Sequence, residues 1–233
     1  MHVILVPGLW LDASSWRDVA ARLSAAGHSP HPVTLRGLHS RTADRSGVML
    51  ADHVAEIVAA IESCGEPVVL VGHAEACGLV HAAVNRVPDR VVRAVHIGGF
   101  PSADGTSVLT GCRPDAGNDL ESSDDPALSA VCSRIRDNET RVVDAEQRLT
   151  DERRFDVPVT VVATEFTADD VRRWMQAGVH PAQELARIRD VTVVDLPSGR
   201  WPQIEHGTAL SRILLEAMSG VGVTAPEAPA EVG

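Results

Sequence analysis

Two short segments hold the side chains with the clearest chemical use. Residues 72–76 read GHAEA and directly follow an apolar run, and residues 199–202 read GRWP after a second apolar run. Glu75 offers a carboxylate that can act as a base, whereas Arg200 stays protonated and can hold an oxyanion through its planar fork. The residues alone leave alternatives open: a simple anion at a helix start for Glu75, and for Arg200 an ion pair with Glu75 or Glu165.

The first segment lies where a strand, a sharp turn and a helix are predicted, within PVVLVGHAEACGLVHAA at residues 67–83. Many hydrolases carry G-x-S-x-G at such a turn, with the serine as nucleophile. Here Ala74 stands at the middle position, and its methyl group can neither attack a carbonyl nor carry a proton. The backbone N–H of Glu75, together with that of Leu9 or Trp10, can still form an oxyanion hole, although ordinary turn amides would look the same in the sequence.

Aromatic side chains follow three of the predicted strands. Trp10, Phe100 and Trp201 come from different strand ends and are expected to converge on one cavity that suits a flat or aromatic ligand. Core packing is the competing interpretation, and for Trp201 it is equally good. The residues predicted to contact a ligand are therefore Leu9, Trp10, Ala74, Phe100, Glu165 and Trp201, with Glu75 and Arg200 as catalytic candidates.

Alternating strands and helices are predicted to position these residues. The strands are expected at 2–6, 32–35, 67–71, 91–97, 157–163 and 191–196, and the helices at 14–26 (with Ser14 as the cap), 48–63, 75–86, 168–177 and 205–218. This order predicts an α/β fold with a mostly parallel sheet. Residues 1–100 and 157–219 form the predicted core, residues 101–156 a cap or lid insertion with a helix near 126–136, and residues 220–233 a disordered tail.

The chain resembles the α/β-hydrolase fold superfamily in four features taken together. These are VPGLW after the first strand, the turn GHAEA at residues 72–76 (the elbow), the predicted cap and the late LPSGRWPQ. Over residues 2–218 the chain looks like compact bacterial members related to small esterases and hydroxynitrile lyases. The resemblance implies helices on both faces of the sheet and a catalytic triad. The nucleophile position is then Ala74 and the base position Arg200; the acid follows either residue 97, where Gly98 stands, or residue 163, where Glu165 is available.

Losing the nucleophile and the base together excludes ordinary serine-hydrolase chemistry, because the two act as a unit. We therefore expect an enzyme that acts without hydrolysis, by bond formation, lyase, cyclisation or cofactor-free oxygenation chemistry. Its expected substrate is a small, aromatic metabolite of bacterial specialised metabolism. The alternatives are a catalytically inactive pseudoenzyme that binds a small molecule or a protein, and a weak residual hydrolase that uses Glu75 or a bound water.

Composition narrows the possible partners. A net charge of -11 over 233 residues argues against nucleic acid and anionic membranes. No apolar run is long enough to span a membrane, no leader is predicted, and four cysteines without a C-x-x-C spacing suit a reducing cytoplasm. Scattered histidines show no metal-ligand spacing, so neither a metal nor a cofactor is predicted. The chain has no lysine and no tyrosine, which indicates a bacterial genome whose GC-rich codon usage disfavours both residues. We expect a monomer or homodimer.

Overall fold

The computed structural model describes residues 1–8, 11–40, 42–108, 145–178 and 181–220. Leu9 and Trp10 lie outside these ranges, so the structure does not bear on their predicted roles. The same holds for most of the predicted cap, including its helix near 126–136, and for the predicted tail from residue 221 onward.

A six-stranded sheet runs through the described part of the chain. Its strands are β1 (His2–Val6), β2 (Ser29–Pro32), β3 (Val68–His73), β4 (Val91–Ile97), β5 (Val159–Ala163) and β6 (Val191–Asp195). Their order is β2-β1-β3-β4-β5-β6, and each neighbouring pair is parallel. All six carboxyl ends therefore meet at one edge of the sheet, with the end of β3 near its centre.

Helices cover both faces of this sheet. They are α1 (Arg17–Ala25), α2 (Leu50–Ser63), α3 (Ala76–Arg86), α4 (Ala168–Ala177), α5 (Pro202–Glu205) and α6 (Gly207–Ser219). One core cluster joins the sheet to the apolar faces of α2, α3 and α4. The second joins it to α1 and α6. β1, β3 and β5 are mainly apolar and buried because both faces of the sheet are covered, as their apolar runs predict.

The α/β fold and all six strands are confirmed; most boundaries differ by a few residues, and three differences have a clear structural reason. β2 spans residues 29–32 instead of 32–35, because its parallel register with β1 begins where Ser29 lies opposite His2. The first helix is capped by Asp12 and not by Ser14, since the Asp12 carboxylate accepts the Ser14 N–H at 2.8 Å and a short 3-10 helix precedes α1. The last predicted helix is divided at His206 into α5 and α6.

The two described flanks of the predicted insertion contact each other. Ser107 and Glu146 form an isolated antiparallel bridge, and the Asp104 carboxylate accepts the backbone N–H of Leu149 at 2.7 Å. The insertion thus leaves and rejoins the core at neighbouring points. Among the described residues, no helix has the length and apolarity that a membrane span requires.

Candidate functional site

The sharp turn that the sequence predicts at Ala74 is present in the backbone. Ala74 follows β3 with φ of 51°, and it is the one non-glycine residue in the described ranges with positive φ. Its N–H donates to the carbonyl of Ile97 at 2.8 Å, and its carbonyl accepts the N–H of Cys77 at 3.0 Å. A left-handed conformation costs a residue with a Cβ roughly 1–2 kcal/mol. The surrounding bonds hold this geometry, which presents residue 74 at the carboxyl edge of the sheet.

Two glycines make room for the turn. A Cβ built on Gly99 would lie 2.5 Å from the Ala74 carbonyl oxygen, and one built on Gly72 would lie 2.7 Å from a methyl group of Val80. Ala76, at the position of the second glycine in G-x-S-x-G, is fully buried at the start of α3. The small alanine side chain fits this close packing.

The Glu75 carboxylate is buried beside its own backbone amide. The residue is only 6% exposed, and its side chain makes no capping bond to the helix that it precedes. Burial raises the pKa of the Glu75 carboxyl, while its own backbone N–H and the Arg200 charge oppose that rise. A Cβ on Gly8, in the loop after β1, would lie 3.5 Å from Glu75 Oε2. The carboxylate therefore lies between its own amide and Gly8.

Arg200 is the partner of this carboxylate. Its Nη2 lies 3.6 Å from Glu75 Oε1, and the guanidinium side chain is 20% exposed. Of the two pairings that the sequence left open, the structure shows the one with Glu75. Glu165 follows β5 on the exposed surface, and its charge adds to the rise in the Glu75 pKa. Arg200 and the buried Glu75 thus form an ion pair, and Glu165 acts on Glu75 through its charge.

His73 contacts the Arg200 backbone, and Gln203 contacts His73. His73 Nε2 donates to the Arg200 carbonyl at 2.9 Å, and the Gln203 side-chain amide lies 3.3 Å from His73 Nδ1. Burial lowers the pKa of His73 to about 4, with a further contribution from the Arg200 charge. The imidazole is therefore neutral near pH 7, and its contacts give it a supporting role. Gln203 was not predicted, because nothing in its residue type or spacing indicates a contact 130 residues away.

The aromatic residues divide between two environments. The Trp201 ring lies 5.7 Å from the His73 ring, and the Arg200 guanidinium carbon is 5.8 Å from the Trp201 ring centre. Phe100 is 1% exposed and stacks on Phe166, with centroids 5.0 Å apart, beside Trp174. This cluster gives Phe100 a packing role, and the ligand contacts expected for Phe100 and Trp201 stay predictions.

The remaining triad-related positions carry little chemistry. Gly98, at the end of β4, has φ of 62°, and its place offers no carboxylate. Cys77 is fully buried, and burial raises the pKa of its thiol, so the sulfur is a poor nucleophile. His206 is exposed between α5 and α6, as expected for a surface histidine.

Comparison with curated proteins finds esterases. The chain is 37% identical over 100 residues to esterase PIR7B of Oryza sativa subsp. japonica, a match that covers 41% of this chain and 37% of that protein. It is 30% identical over 111 residues to a carbendazim hydrolyzing esterase of Nocardioides sp., covering 46% of each. The chain thus matches less than half the length of these relatives. No family model matches it.

Solved structures show the fold over nearly the whole chain. A pyrethroid hydrolase from Sphingobium faniae JZ-2 superimposes with a TM-score of 0.69 at 19% identity and covers 99% of both chains. A tomato methylketone synthase I variant in complex with β-ketoheptanoate has a TM-score of 0.69 at 14% identity, covering 94% of this chain and 98% of that one. A methylesterase from Arabidopsis reaches 0.67 at 18% identity, covering 95% of this chain and 100% of its own. The fold is that of the α/β-hydrolase superfamily.

Proposed function

We propose that this α/β-hydrolase-fold chain is an enzyme that acts on a small, aromatic, anionic metabolite without hydrolysing it. Two observations support the proposal: Ala74 has a left-handed conformation in the turn after β3, and Arg200 lies against the Glu75 carboxylate. The relatives are named as esterases and hydrolases. The proposal departs from those names because an acyl-enzyme needs a nucleophile and a base, and both positions have lost them.

Glu75 is the proposed proton carrier. A carboxyl whose pKa is raised by burial exchanges protons closer to neutral pH than an exposed one does. From its position at the elbow amide, it would remove a proton from the substrate or return one to it. Lyase, cyclisation, bond-forming and cofactor-free oxygenation reactions all accommodate such a step. One structural neighbour is itself named as a synthase, so the fold is not confined to proteins named for hydrolysis.

Arg200 is the proposed anion clamp. Its guanidinium already faces a carboxylate at 3.6 Å, and its side chain is partly accessible. A substrate carboxylate, phenolate or enolate would compete with Glu75 for the same charge. Charge-assisted bonds of this kind contribute about 1.5–3 kcal/mol. Trp201, with its ring close to the guanidinium, is the proposed aromatic contact for such a substrate.

A second candidate is binding without turnover. The Glu75 carboxylate favours this candidate, because it bonds to its own backbone N–H and pairs with Arg200. These contacts already occupy the place where a hydrolase would hold its substrate and catalytic side chains. A pseudoenzyme would keep this arrangement and bind a small molecule or a protein. The two candidates differ in whether Glu75 is needed for a chemical step or only for the shape of the site.

Ester turnover tests the non-hydrolytic claim. Purified protein is expected not to hydrolyse p-nitrophenyl acetate or butyrate above an unfolded control and not to react with a fluorophosphonate probe. Ala74→Ser alone is expected to stay inactive, because a serine without a base keeps its high pKa. Ala74→Ser combined with Arg200→His is expected to gain weak activity, with Glu165 orienting the new histidine. Rapid hydrolysis by the unmodified chain, or by Ala74→Ser alone, would show that another base is present.

The cellular setting belongs to the same proposal. We place the protein in a bacterial cytoplasm, as a monomer or homodimer with neither nucleic acid nor membrane as partner. The high negative charge supports the absence of a nucleic-acid partner. The free thiols of Cys64 and Cys77 are consistent with a reducing compartment.

A further inference from the structure

Three metal-ligand side chains converge at the end of the sheet opposite the elbow. His2 begins β1, His31 lies in β2, and Cys64 follows α2 as its C-terminal cap. One ligand atom from each lies within 4.8 Å of the other two, and all three residues are partly buried. The spacing in the sequence is 29 and 33 residues, which is why no ligand motif is visible there.

The sheet register brings the two histidines together. Ser29 lies opposite His2 and His31 opposite Ile4, so the two imidazoles are diagonal neighbours on one face of a parallel pair. His2 Nδ1 and His31 Nε2 are 2.8 Å apart, and the rings stack with centroids 5.1 Å apart. This face is the one that α2 covers, and the helix ends beside the pair at Cys64.

We propose that His2, His31 and Cys64 form a binding site for a thiophilic divalent ion, with zinc as the best fit. Imidazole nitrogens and thiolate sulfurs are both usual zinc ligands, and a water would take the fourth position. Tetrahedral zinc with bonds of about 2.0–2.3 Å sets the two ring nitrogens about 3.4 Å apart and each of them about 3.6 Å from the sulfur. The rings must part by about half an ångström, and the sulfur must approach them, which partly exposed side chains allow.

Zinc binding requires two protons to move. The nitrogen that donates within the imidazole pair must pass its hydrogen to the other nitrogen of the same ring, so that both facing nitrogens present lone pairs. The Cys64 thiol, which now donates to the Ala60 carbonyl at 3.4 Å, must release its proton to solvent. One zinc ion therefore displaces one proton, and it cross-links the edge strand β2, the first strand β1 and the end of α2.

Cobalt titration of the full, tag-free chain tests the site. After treatment with a chelator, the protein is expected to bind one Co²⁺ with a near-ultraviolet thiolate-to-cobalt band, and Zn²⁺ is expected to displace the cobalt and raise the melting temperature. Cys64→Ser should abolish the band, and His31→Ala should weaken cobalt binding roughly tenfold or more. Matched controls are His206→Ala and the double variant Cys112→Ser and Cys132→Ser, which should bind as the unmodified chain does.

Two results would overturn the proposal. One is the absence of saturable cobalt or zinc binding with metal in excess. The other is a thiolate band that survives Cys64→Ser or disappears in the Cys112→Ser, Cys132→Ser control. Melting of each variant without metal shows whether it is folded, and a folded His2→Ala variant that has lost the metal-dependent rise provides an independent confirmation. Ester assays do not enter this test, so its outcome is separate from that of the elbow proposal.

Discussion

Replacing His96 with leucine is expected to stabilise the protein, most of all in acid. His96 lies in β4 opposite Gly72 of the elbow strand and is fully buried. Neither of its ring nitrogens has a hydrogen-bond partner among the residues that the structure describes. A buried polar group without a partner costs about 1–3 kcal/mol. His96→Leu removes that cost with little change in volume, so the free energy of unfolding at pH 7 should rise by about that amount.

The pH dependence gives a larger signal. Burial lowers the pKa of His96 to about 3, with His81 contributing, from an ordinary value of 6.5. As the pH falls below 6.5, His96 binds a proton in the unfolded chain but not in the folded chain. The free energy of unfolding therefore decreases until the pH reaches about 3, where His96 is protonated in both states. At about 1.4 kcal/mol for each pH unit, this amounts to about 5 kcal/mol over the window and about 2 kcal/mol by pH 5. The advantage of His96→Leu should grow accordingly.

Urea denaturation at pH 7 and pH 5 measures this difference, with thermal melting as a second method. A chain of this size gains about 2–4 °C in melting temperature for each kcal/mol. His206→Leu, at an exposed histidine, is the control and should change neither the stability nor its pH slope. Other buried histidines titrate in both proteins and cancel in the comparison. A His96→Leu variant that is less stable at pH 7 and keeps the unmodified pH slope would refute the account, since the imidazole would then have a stabilising partner.

Three further perturbations address the elbow. Gly99→Ala should lower the free energy of unfolding by about 1–3 kcal/mol in urea denaturation, because its Cβ would lie 2.5 Å from a backbone oxygen. Gly47→Ala is the control and should lower it little, because its Cβ would have no atom within 4 Å. Equal losses in the two variants would contradict the predicted clash. His73→Gln keeps a donor for the Arg200 carbonyl but does not titrate, so about 3 kcal/mol of acid destabilisation between pH 6.5 and pH 4 should disappear. An unchanged acid limb in urea denaturation would show that His73 titrates normally. Arg200→Lys should weaken benzoate binding in calorimetry almost as much as Arg200→Ala, because lysine lacks the planar fork. If Arg200→Lys kept the full benzoate affinity, only the positive charge of Arg200 would matter for binding.

The sequence predicted the elements well where their signals are local. Continuous apolar runs indicated strands covered on both faces, and β1 and β4 have the predicted bounds. The errors lie where tertiary contacts decide a boundary. β2 contains two prolines in four residues and is defined by its pairing with β1, which no local propensity reveals.

The sequence indicated that Glu75 and Arg200 could meet, and the structure shows this contact. GHAEA places Glu75 at one strand end and GRWP places Arg200 at another, and the carboxyl ends of parallel strands meet at one edge. What the sequence could not indicate is that the Glu75 carboxylate turns back onto its own amide, or that Gln203 lies beside His73. Both contacts depend on how α3 and α5 pack after the sheet has formed. The histidine pair at His2 and His31 was missed for the same reason, since only the strand register brings the rings together.

Calorimetric titration with benzoate, a small aromatic anion, tests the central claim that Glu75 and Arg200 now form the working site. The account predicts that Glu75→Gln binds benzoate more tightly than the unmodified chain, because the internal competitor for Arg200 has lost its charge. Arg200→Ala should weaken binding by roughly tenfold or more, as expected for the loss of a charge-assisted bond, while His206→Ala should bind normally. Weaker binding by Glu75→Gln, or unchanged binding by Arg200→Ala, would contradict the account.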